Sequence, residues 1–487
     1  MSLKNRTIIG FIWSSMGLFG RGGLNIVITI ILSRLLPPSD FGIMALLLVF
    51  TAISTILIDS GFSQAIIRDQ NVTQEKLSSV FVLNVSAALI IYFSLFFVMP
   101  EICSYFHFPQ YVAMGRVLFL SMIFESLGII QTTVLTKAMD FRWLACTQCI
   151  ATIISGIVAI IMATAGCGCW SLAANLVLYS ALRTGLLWIK GSWKISLSFR
   201  YKAIQEYFSF SINLLLTGLF DRVLSNLENL FIGRVYSKND LAFFSRAREI
   251  DAWSSQTLTS IIVKVTYPAL VKLQDKQQSF SSAYKKILGL TVFCNTFIMV
   301  FLLASAHIIP LLWGENWTET RIYIIPWCLF GLMYPFQSIC INIFQAYGNT
   351  KQYLFISVFR QVLRIIVILI FVKISIISMT WAIIGVAVLG TWVTTFFAAK
   401  LIHQPCLSLF LDSKKTFFSG VAAALSVWSL GAFLDLPNWE IVILQFLIMI
   451  ISYFGVNLFL KNEYLTEICN IALPMLKKVM KRGVYEN

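Results

Sequence analysis

Charged side chains are scarce in this sequence: of its 487 residues only 12% are Asp, Glu, Lys or Arg, whereas 58% are hydrophobic. A soluble domain of ordinary composition carries about 25% charged residues, so this chain has too little charge to cover a surface that faces water. No polar interval is long enough to hold a soluble domain of typical size. The composition therefore excludes a soluble enzyme or a soluble binding module.

Histidine and phosphate-binding motifs are also lacking. With three His residues in the chain, the close pairs Cys146/Cys149 and Cys167/Cys169 have few of the partners that a zinc site recruits, and we expect the cysteines to act as small buried hydrophobic residues. No segment reads Gly-x4-Gly-Lys-Ser/Thr, so the chain has no P-loop for ATP. No large extracytoplasmic loop gathers carboxylates for acid/base catalysis. We therefore expect no catalytic residues, no metal and no cofactor, and any transport is expected to be secondary or downhill.

Long apolar segments are what the sequence has in abundance. Segments of about 20 residues recur from end to end, and each is long enough to cross a hydrocarbon core of about 30 Å as a helix. The first run reaches Leu32, which is too long for a signal peptide and shows no small-residue cleavage pattern. We therefore predict an all-α polytopic membrane protein with about fourteen transmembrane helices and both termini on one side.

The positive charge, formally +15, is distributed unevenly between the loops on the two sides of the predicted spans. About 23 Lys and Arg residues lie near the predicted span ends on the side of the termini, against about 5 on the opposite side. This asymmetry predicts cytoplasmic termini, with the basic tail Lys477-Lys-Val-Met-Lys-Arg482 on that side. Because the positive charge follows topology, we expect contact with membrane lipids and no nucleic-acid partner.

An internal duplication organises the chain. The stretch Ile31-Leu-Ser-Arg-Leu-Leu-Pro-Pro-Ser-Asp-Phe-Gly42 returns 200 positions later as Phe231-Ile-Gly-Arg-Val-Tyr-Ser-Lys-Asn-Asp-Leu-Ala242. Six spans per copy is an even number, which gives both copies one orientation and a pseudo-two-fold axis along the membrane normal. We predict a six-helix bundle over 1–200, a second bundle over 201–403, and two extra helices with the basic tail over 404–487.

Ionisable groups inside the predicted spans mark the working surface, because they cost several kcal/mol when they face lipid. Arg21 precedes Arg34 by about 13 residues, which places it about 20 Å inward from the outer interface. The 200-residue offset aligns Arg21 with Asp221, and Arg222 follows, so both copies carry charge at one depth. We predict that these residues line a hydrated cavity; the alternative is a buried Arg21–Asp221 ion pair that fixes packing.

Further spans supply more candidates, each of which either lines the cavity or serves local packing. Glu228 belongs to a polar stripe at helical spacing, and Arg360 and Arg364 share one helix face. The cations predicted to bind substrate are Arg21, Arg222, Arg246, Arg248, Arg360 and Arg364. The carboxylates predicted to hold a coupling ion are Asp59, Glu125, Asp221 and Glu228.

Five motifs of this sequence are similar to those of a known family. They are Leu32-Ser-Arg-Leu-Leu-Pro-Pro-Ser-Asp-Phe-Gly42, Asp59-Ser-Gly-Phe-Ser-Gln-Ala-Ile-Ile-Arg68, Phe231-Ile-Gly-Arg234, Tyr267-Pro-Ala-Leu270 and Leu312-Trp-Gly-Glu-Asn-Trp317. Together they resemble the Wzx-type oligosaccharide flippases, and more narrowly the WzxC-like lipopolysaccharide and exopolysaccharide exporters of the multidrug/oligosaccharidyl-lipid/polysaccharide (MOP) superfamily. The resemblance extends over nearly the whole chain.

This resemblance implies two six-helix bundles around a central cavity, plus two terminal helices, in the bacterial inner membrane. It implies that an undecaprenyl-diphosphate-linked oligosaccharide moves from the cytoplasmic to the periplasmic leaflet by alternating access, with Arg side chains on the diphosphate. In related flippases Arg residues on the first, second and eighth helices line the cavity. Arg21 matches the first and Arg246 or Arg248 the eighth, whereas the second span offers Asp59. The coupling ion, H⁺ or Na⁺, is left open, and polymerase and export machinery are expected partners.

Three other functions stay open at this point. A multidrug extruder of the same fold would favour acidic cavity groups, because typical drug substrates are cations, and the excess of Arg disfavours it. A membrane glycosyltransferase or polymerase would transfer sugar without moving lipid between leaflets. A scaffold for other biosynthetic enzymes would tolerate the loss of every intramembrane charge.

Overall fold

The computed structural model describes residues 3–468 and 470, apart from positions 192, 196–199, 272, 274, 309–311 and 434–438. Throughout this part of the chain the regular structure is helical, without β-strands. The predicted basic tail at 477–482 lies outside the described residues. The all-α architecture predicted from the sequence is confirmed.

The first nine helices form in order along the N-terminal half. They are α1 Leu3–Leu35, α2 Pro38–Asp59, α3 Phe62–Arg68, α4 Gln74–Tyr105, α5 Val112–Leu118, α6 Leu120–Lys137, α7 Phe141–Thr164, α8 Trp170–Lys190 and α9 Tyr201–Val235.

The C-terminal half continues with a helix that is interrupted by a π-helical turn. The helices are α10 Lys238–Asp251, the π-helical segment Ala252–Gln256, α11 Thr257–Val271, α12 Gln277–Ala304, α13 Thr320–Ala346, α14 Thr350–Phe371, α15 Ile376–Leu401, α16 Cys406–Leu411, α17 Lys414–Phe433 and α18 Trp439–Phe459.

Eleven candidate membrane spans are found among the residues that the structure describes, judged by length and apolar composition. The chain is therefore a multi-pass membrane protein. The count of about fourteen spans and the pseudo-two-fold symmetry remain predictions.

The chain divides into two compact units, Met1–Ser245 and Arg246–Asn487. In the N-terminal unit α7 packs on α1 and α8, α6 packs on α8, and α2 packs on α9. In the C-terminal unit α13 packs on α12 and α15, and α17 packs on α12 and α18. The repeat boundary predicted at 200/201 describes the sequence pattern and stays a prediction.

The first copy of the repeated stretch forms the start of α2. Pro38 takes the first helical position, where its missing N–H costs nothing. Gly42 is buried, and a Cβ at this position would overlap the backbone carbonyl of Lys238, the first residue of α10. Only glycine allows this approach of two backbones. The second copy carries Ala242, which is fully buried.

Side-chain caps fix several other helix starts. Thr73 accepts a hydrogen bond from the backbone N–H of Lys76 at 3.3 Å at the start of α4. Asp140 accepts from the N–H of Trp143 at 3.3 Å at the start of α7. Ser and Thr side chains and carboxylates at such positions satisfy backbone donors that no helical carbonyl reaches, so these boundaries follow from local sequence.

Candidate functional site

A polar cavity of about 450 Å³ lies within the N-terminal unit, lined by residues of α1, α2, α3, α6, α7 and α8. Its charged lining residues are Arg21, Asp59, Glu125 and Arg183. Three of these four were predicted from sequence, and the structure brings them into one cavity. Because two arginines face two carboxylates, the cavity has balanced formal charge and can receive an anion or a cation according to which groups are paired.

Arg21 is held by an aromatic ring. Its guanidinium carbon lies 4.5 Å from the ring centroid of Tyr179 on α8, a cation–π contact that orients the group. The Arg21 Nε is buried and has no hydrogen-bond partner in the structure. A buried guanidinium nitrogen without an acceptor favours an anionic ligand, since leaving it unpaired costs free energy.

Glu125 is placed between hydroxyl and guanidinium groups. Ser180 Oγ donates a hydrogen bond to Glu125 Oε1 at 3.2 Å. Arg183 and Arg21 both lie close enough to interact electrostatically with this carboxylate, and Arg183 Nη2 donates to Thr132 Oγ1 at 3.2 Å. Glu125 therefore provides a carboxylate beside both arginines of the cavity.

Asp59 terminates α2 in the motif Asp59-Ser-Gly-Phe-Ser63. Ser60 and Gly61 adopt left-handed conformations with φ of 48° and 79°, which turns the chain into α3. Asp59 Oδ1 accepts from Ser63 Oγ at 2.5 Å and from the Ser63 N–H at 3.3 Å, and Thr133 Oγ1 donates to Ser63 Oγ at 3.1 Å. The motif thus places one carboxylate at the cavity with local hydroxyl partners.

The predicted residues of α9 do not line this cavity. Asp221 and Arg222 are exposed, whereas Glu228 is fully buried. Their predicted roles in substrate binding and ion coupling stay predictions.

The remaining predicted cations belong to the C-terminal unit. Arg246 forms an ion pair with Glu249 at 2.6 Å, and the Arg248 guanidinium carbon lies 5.9 Å from the ring centroid of Trp327. The Arg360 guanidinium faces the side-chain amide of Gln337. Its stem passes so close to α15 that a Cβ on Gly390 would lie 2.6 Å from Arg360 Cδ. Arg364 is close enough to interact electrostatically with Arg360.

Sequence reasoning missed Arg183 and Tyr179. Both lie on α8, four residues apart, and therefore on one helix face. A signal was present, because Arg183 interrupts the apolar run of α8 seven residues before Lys190 at its end. The tyrosine carried no comparable signal, since aromatic residues are common throughout this chain.

A network of charged and polar groups at the loop between α3 and α4 joins this loop to α9. Tyr207 Oη donates to Asp69 Oδ2 at 2.5 Å, and this hydrogen bond is the largest of the effects that lower the pKa of Asp69 to about 2. Lys76 bridges Asp69 at 2.9 Å and Glu206 at 2.8 Å. Lys137 donates to the backbone carbonyls of Ile66 and Asp69. These contacts hold the start of α9 against the end of α3 and the start of α4.

No metal-binding arrangement of three or more His, Cys, Asp or Glu side chains occurs among the described residues.

Solved structures define the class of fold. The chain is similar to the inward-facing conformation of a multidrug resistance MATE family transporter of the MOP superfamily, with a TM-score of 0.57, 16% identity, and 78% of this chain and 95% of that chain covered. It is also similar to a MOP superfamily transporter from Pyrococcus furiosus that is described as having a binding pocket of reverse polarity, with a TM-score of 0.56, 14% identity, and 82% of this chain and 96% of that chain covered. The fold is that of a MOP-type transporter.

Sequence comparison then defines the family. Residues 31–321 match the model of the polysaccharide biosynthesis protein family, and the chain belongs to this family. It is 23% identical over 340 residues to the lipopolysaccharide biosynthesis protein WzxC of Escherichia coli, covering 68% of each chain. It is 23% identical to the succinoglycan biosynthesis transport protein ExoT of Rhizobium meliloti, covering 66% of this chain and 64% of that one. The resemblance inferred from the motifs is confirmed.

Proposed function

We propose that this protein is a flippase for an undecaprenyl-diphosphate-linked oligosaccharide, an O-antigen or exopolysaccharide repeat unit. The lipid-linked sugar passes from the cytoplasmic to the periplasmic leaflet of the bacterial inner membrane by alternating access. Both termini are cytoplasmic in this proposal, and polymerase and export machinery receive the product. The observation that carries it is the pair of arginines, Arg21 and Arg183, in a polar cavity within the membrane part of a family member.

The diphosphate is the part of this substrate that the cavity suits best. A guanidinium presents a fork of N–H donors that matches phosphate oxygens in pairs. Arg21 is oriented by Tyr179 and keeps a buried Nε without a protein acceptor. Arg183 lies on α8, the helix that also carries Tyr179, so two guanidinium groups line one cavity. Such a pair compensates the charge of a diphosphate that leaves water.

The cavity carboxylates explain how the anion is released. In the substrate-free state Glu125 offers a counter-charge to both arginines. A diphosphate competes with Glu125 for them, and a proton on Glu125 weakens this competition. A proton on Glu125 or Asp59 therefore favours diphosphate binding, and loss of that proton favours release, which gives the predicted coupling carboxylates a physical role.

Cavity size limits what is bound here. Ligand pockets for small molecules range over about 300–1,000 Å³, and this cavity of about 450 Å³ accommodates a diphosphate with the sugar next to it. The rest of the oligosaccharide must lie outside the pocket. The other predicted cations, Arg222, Arg246, Arg248, Arg360 and Arg364, are proposed to contact the substrate as it moves, and Asp221 and Glu228 remain further candidates for ion coupling.

Reconstituted protein tests the proposal. Full-length protein in proteoliposomes is expected to move labelled undecaprenyl-diphosphate-linked oligosaccharide between leaflets, and Arg183→Gln and Arg21→Gln should each lower the initial rate about tenfold or more, the loss expected for a charge-assisted hydrogen bond. Arg21→Lys keeps the charge but loses the paired geometry and should recover only part of the rate.

The matched control is Arg200→Gln, which removes a cation from a salt bridge with Glu75 whose side chains are largely exposed. It should transport at the wild-type rate. Equal rates for wild type and Arg183→Gln would contradict the diphosphate site.

A multidrug extruder remains the second candidate, because Asp59 and Glu125 give the same cavity two carboxylates and a multidrug transporter shares the fold. Saturable transport of an organic cation that Glu125→Gln abolishes, without lipid translocation, would favour this function.

A further inference from the structure

The C-terminal unit encloses a carboxylate that none of the preceding roles uses. Asp251, the last residue of α10, is 1% exposed. Its Oδ2 accepts a hydrogen bond from Gln256 Nε2 at 3.0 Å, whereas its Oδ1 is buried and has no hydrogen-bond partner. An ionised carboxylate in such a place carries a large desolvation cost.

A π-helical turn builds this environment. The segment Ala252–Gln256 follows Asp251 directly, and a π-helix closes its backbone hydrogen bonds over five residues rather than four. This winding brings Gln256, five residues on, onto the Asp251 carboxylate. Inserted turns of this kind occur frequently at functional sites.

The partnerless Oδ1 of Asp251 faces α13 at a glycine. A Cβ on Gly331 would lie 2.6 Å from this oxygen, so the carboxylate occupies the space that any other residue would fill. The Gly331 carbonyl accepts hydrogen bonds from Ser255 Oγ at 2.9 Å and from Asn295 Nδ2 at 2.8 Å. The side-chain oxygen of Asn295, Oδ1, is buried and also lacks a hydrogen-bond partner.

The chemistry of these atoms identifies the occupant. Asp251 Oδ1 and Asn295 Oδ1 are both acceptors, and neither receives a hydrogen bond from a donor in the structure. A coordinated metal cation needs several oxygen ligands and room between them, whereas the packing around Gly331 is tight. A proton needs no room and converts Oδ1 into a donor.

We propose that Asp251 is a proton-binding site of the C-terminal unit, and that the π-helical turn after it responds to the proton. One O–H bond forms on Oδ1, with the proton taken from a hydronium ion, which leaves as water. The charged and titratable groups that interact with Asp251 are Arg248 on its own helix and Cys328 and Tyr334 on α13. Loss of the proton leaves a buried anion. This charge favours a change in the helical winding of Ala252–Gln256 that moves the Asp251 carboxylate toward water or toward Arg248.

Infrared titration of the purified full-length protein in liposomes tests this site. A protonated carboxylic acid absorbs at higher frequency than a carboxylate, and a pH-difference spectrum of wild type should contain the band of a buried acid. Asp251→Asn is isosteric and neutral, and it should lack that band. The control Asp240→Asn removes the partly exposed carboxylate from the first turn of the same helix and should retain it.

Hydrogen exchange provides a second measurement on the same protein. Amides of 252–256 should exchange faster at alkaline than at acidic pH, beyond the intrinsic effect, in wild type but not in Asp251→Asn. Identical difference spectra and identical pH dependence of exchange in both proteins would overturn the proposal. Neither measurement needs the glycan, so the site can fail while lipid translocation succeeds, and the reverse.

Discussion

The two copies of the repeated stretch are followed by carboxylates at different positions in the sequence. At the 200-residue offset Asp59 aligns with Thr259, and Asp251 aligns with Thr51. In the first copy Thr51 is buried and Asp59 borders an open cavity. In the second copy Thr259 and Asp251 are both buried. Eight residues separate the aligned positions, which is about 12 Å of helix.

Asp59 and Asp251 therefore have two different kinds of surroundings. Asp59 accepts a hydrogen bond from Ser63 Oγ and shares its cavity with Arg21 and Arg183, so polar groups surround it. Asp251 is enclosed, and its surroundings require a π-helical turn and a glycine on α13. We propose that the cavity carboxylates of the first copy compete with the substrate diphosphate for Arg21 and Arg183. In the second copy, we propose that Asp251 binds and releases a proton.

The largest expected effect concerns the glycine that the two copies do not share. Gly42→Ala should destabilise the folded protein by about 3 kcal/mol, the upper end of the usual cost of overpacking, because its new Cβ overlaps a backbone carbonyl that cannot rotate away. Loss of the monodisperse fraction in size-exclusion chromatography and a lowered unfolding temperature would report this.

The aligned position supplies the control for this substitution. Ala242→Gly in the second copy should cost only about 1 kcal/mol for glycine in a helix, plus a small cavity. If both substitutions cost the same, the close approach at Gly42 is not what distinguishes the two copies.

A second experiment makes the first copy resemble the second. Asp59→Thr installs the residue found at 259 and leaves the cavity with two arginines and one carboxylate. Binding of undecaprenyl diphosphate should tighten about three- to tenfold, the range expected for one removed charge in a partly hydrated site. Titration of the purified protein at low and high salt measures it.

Asp240→Thr, which removes a carboxylate outside the cavity, is the control for net charge and should leave this affinity unchanged. Weaker binding in Asp59→Thr would mean that the carboxylate supports the anion, through its hold on Ser63, rather than opposing it.

Sequence reasoning recovered the fold class and three of the four charged residues of the cavity for identifiable reasons. Arg21, Asp59 and Glu125 stood out because charge inside an apolar segment is rare and costly. Arg183 carried the same signal but had no aligned counterpart that would have drawn attention to it. The partners of Asp251 were beyond prediction, because Gly331 and Asn295 come from helices far along the chain and the π-helical turn has no periodicity of its own. Which charge is enclosed and which borders a cavity depends on packing, and the sequence pattern does not encode that directly.

The smallest expected effect lies at the loop where the copies differ again, since Asp69 aligns with Ala269. Asp69→Asn removes the acceptor of the Tyr207 hydrogen bond and one partner of Lys76, and should lower the unfolding temperature by about 2–6 °C. The hydrogen bond from Tyr207, together with the Asn71 N–H and Lys76, lowers the pKa of Asp69 to about 2, below its unfolded value of about 3.9. The carboxylate therefore stabilises the fold fully above about pH 4, and this contribution is lost as pH falls through about 2.

The difference in unfolding temperature between wild type and Asp69→Asn should be constant from about pH 5 to about pH 8. Tyr207→Phe, which removes the same hydrogen bond from the other side, should reproduce it, and a difference that changes within this range would show that another group supplies the stabilisation.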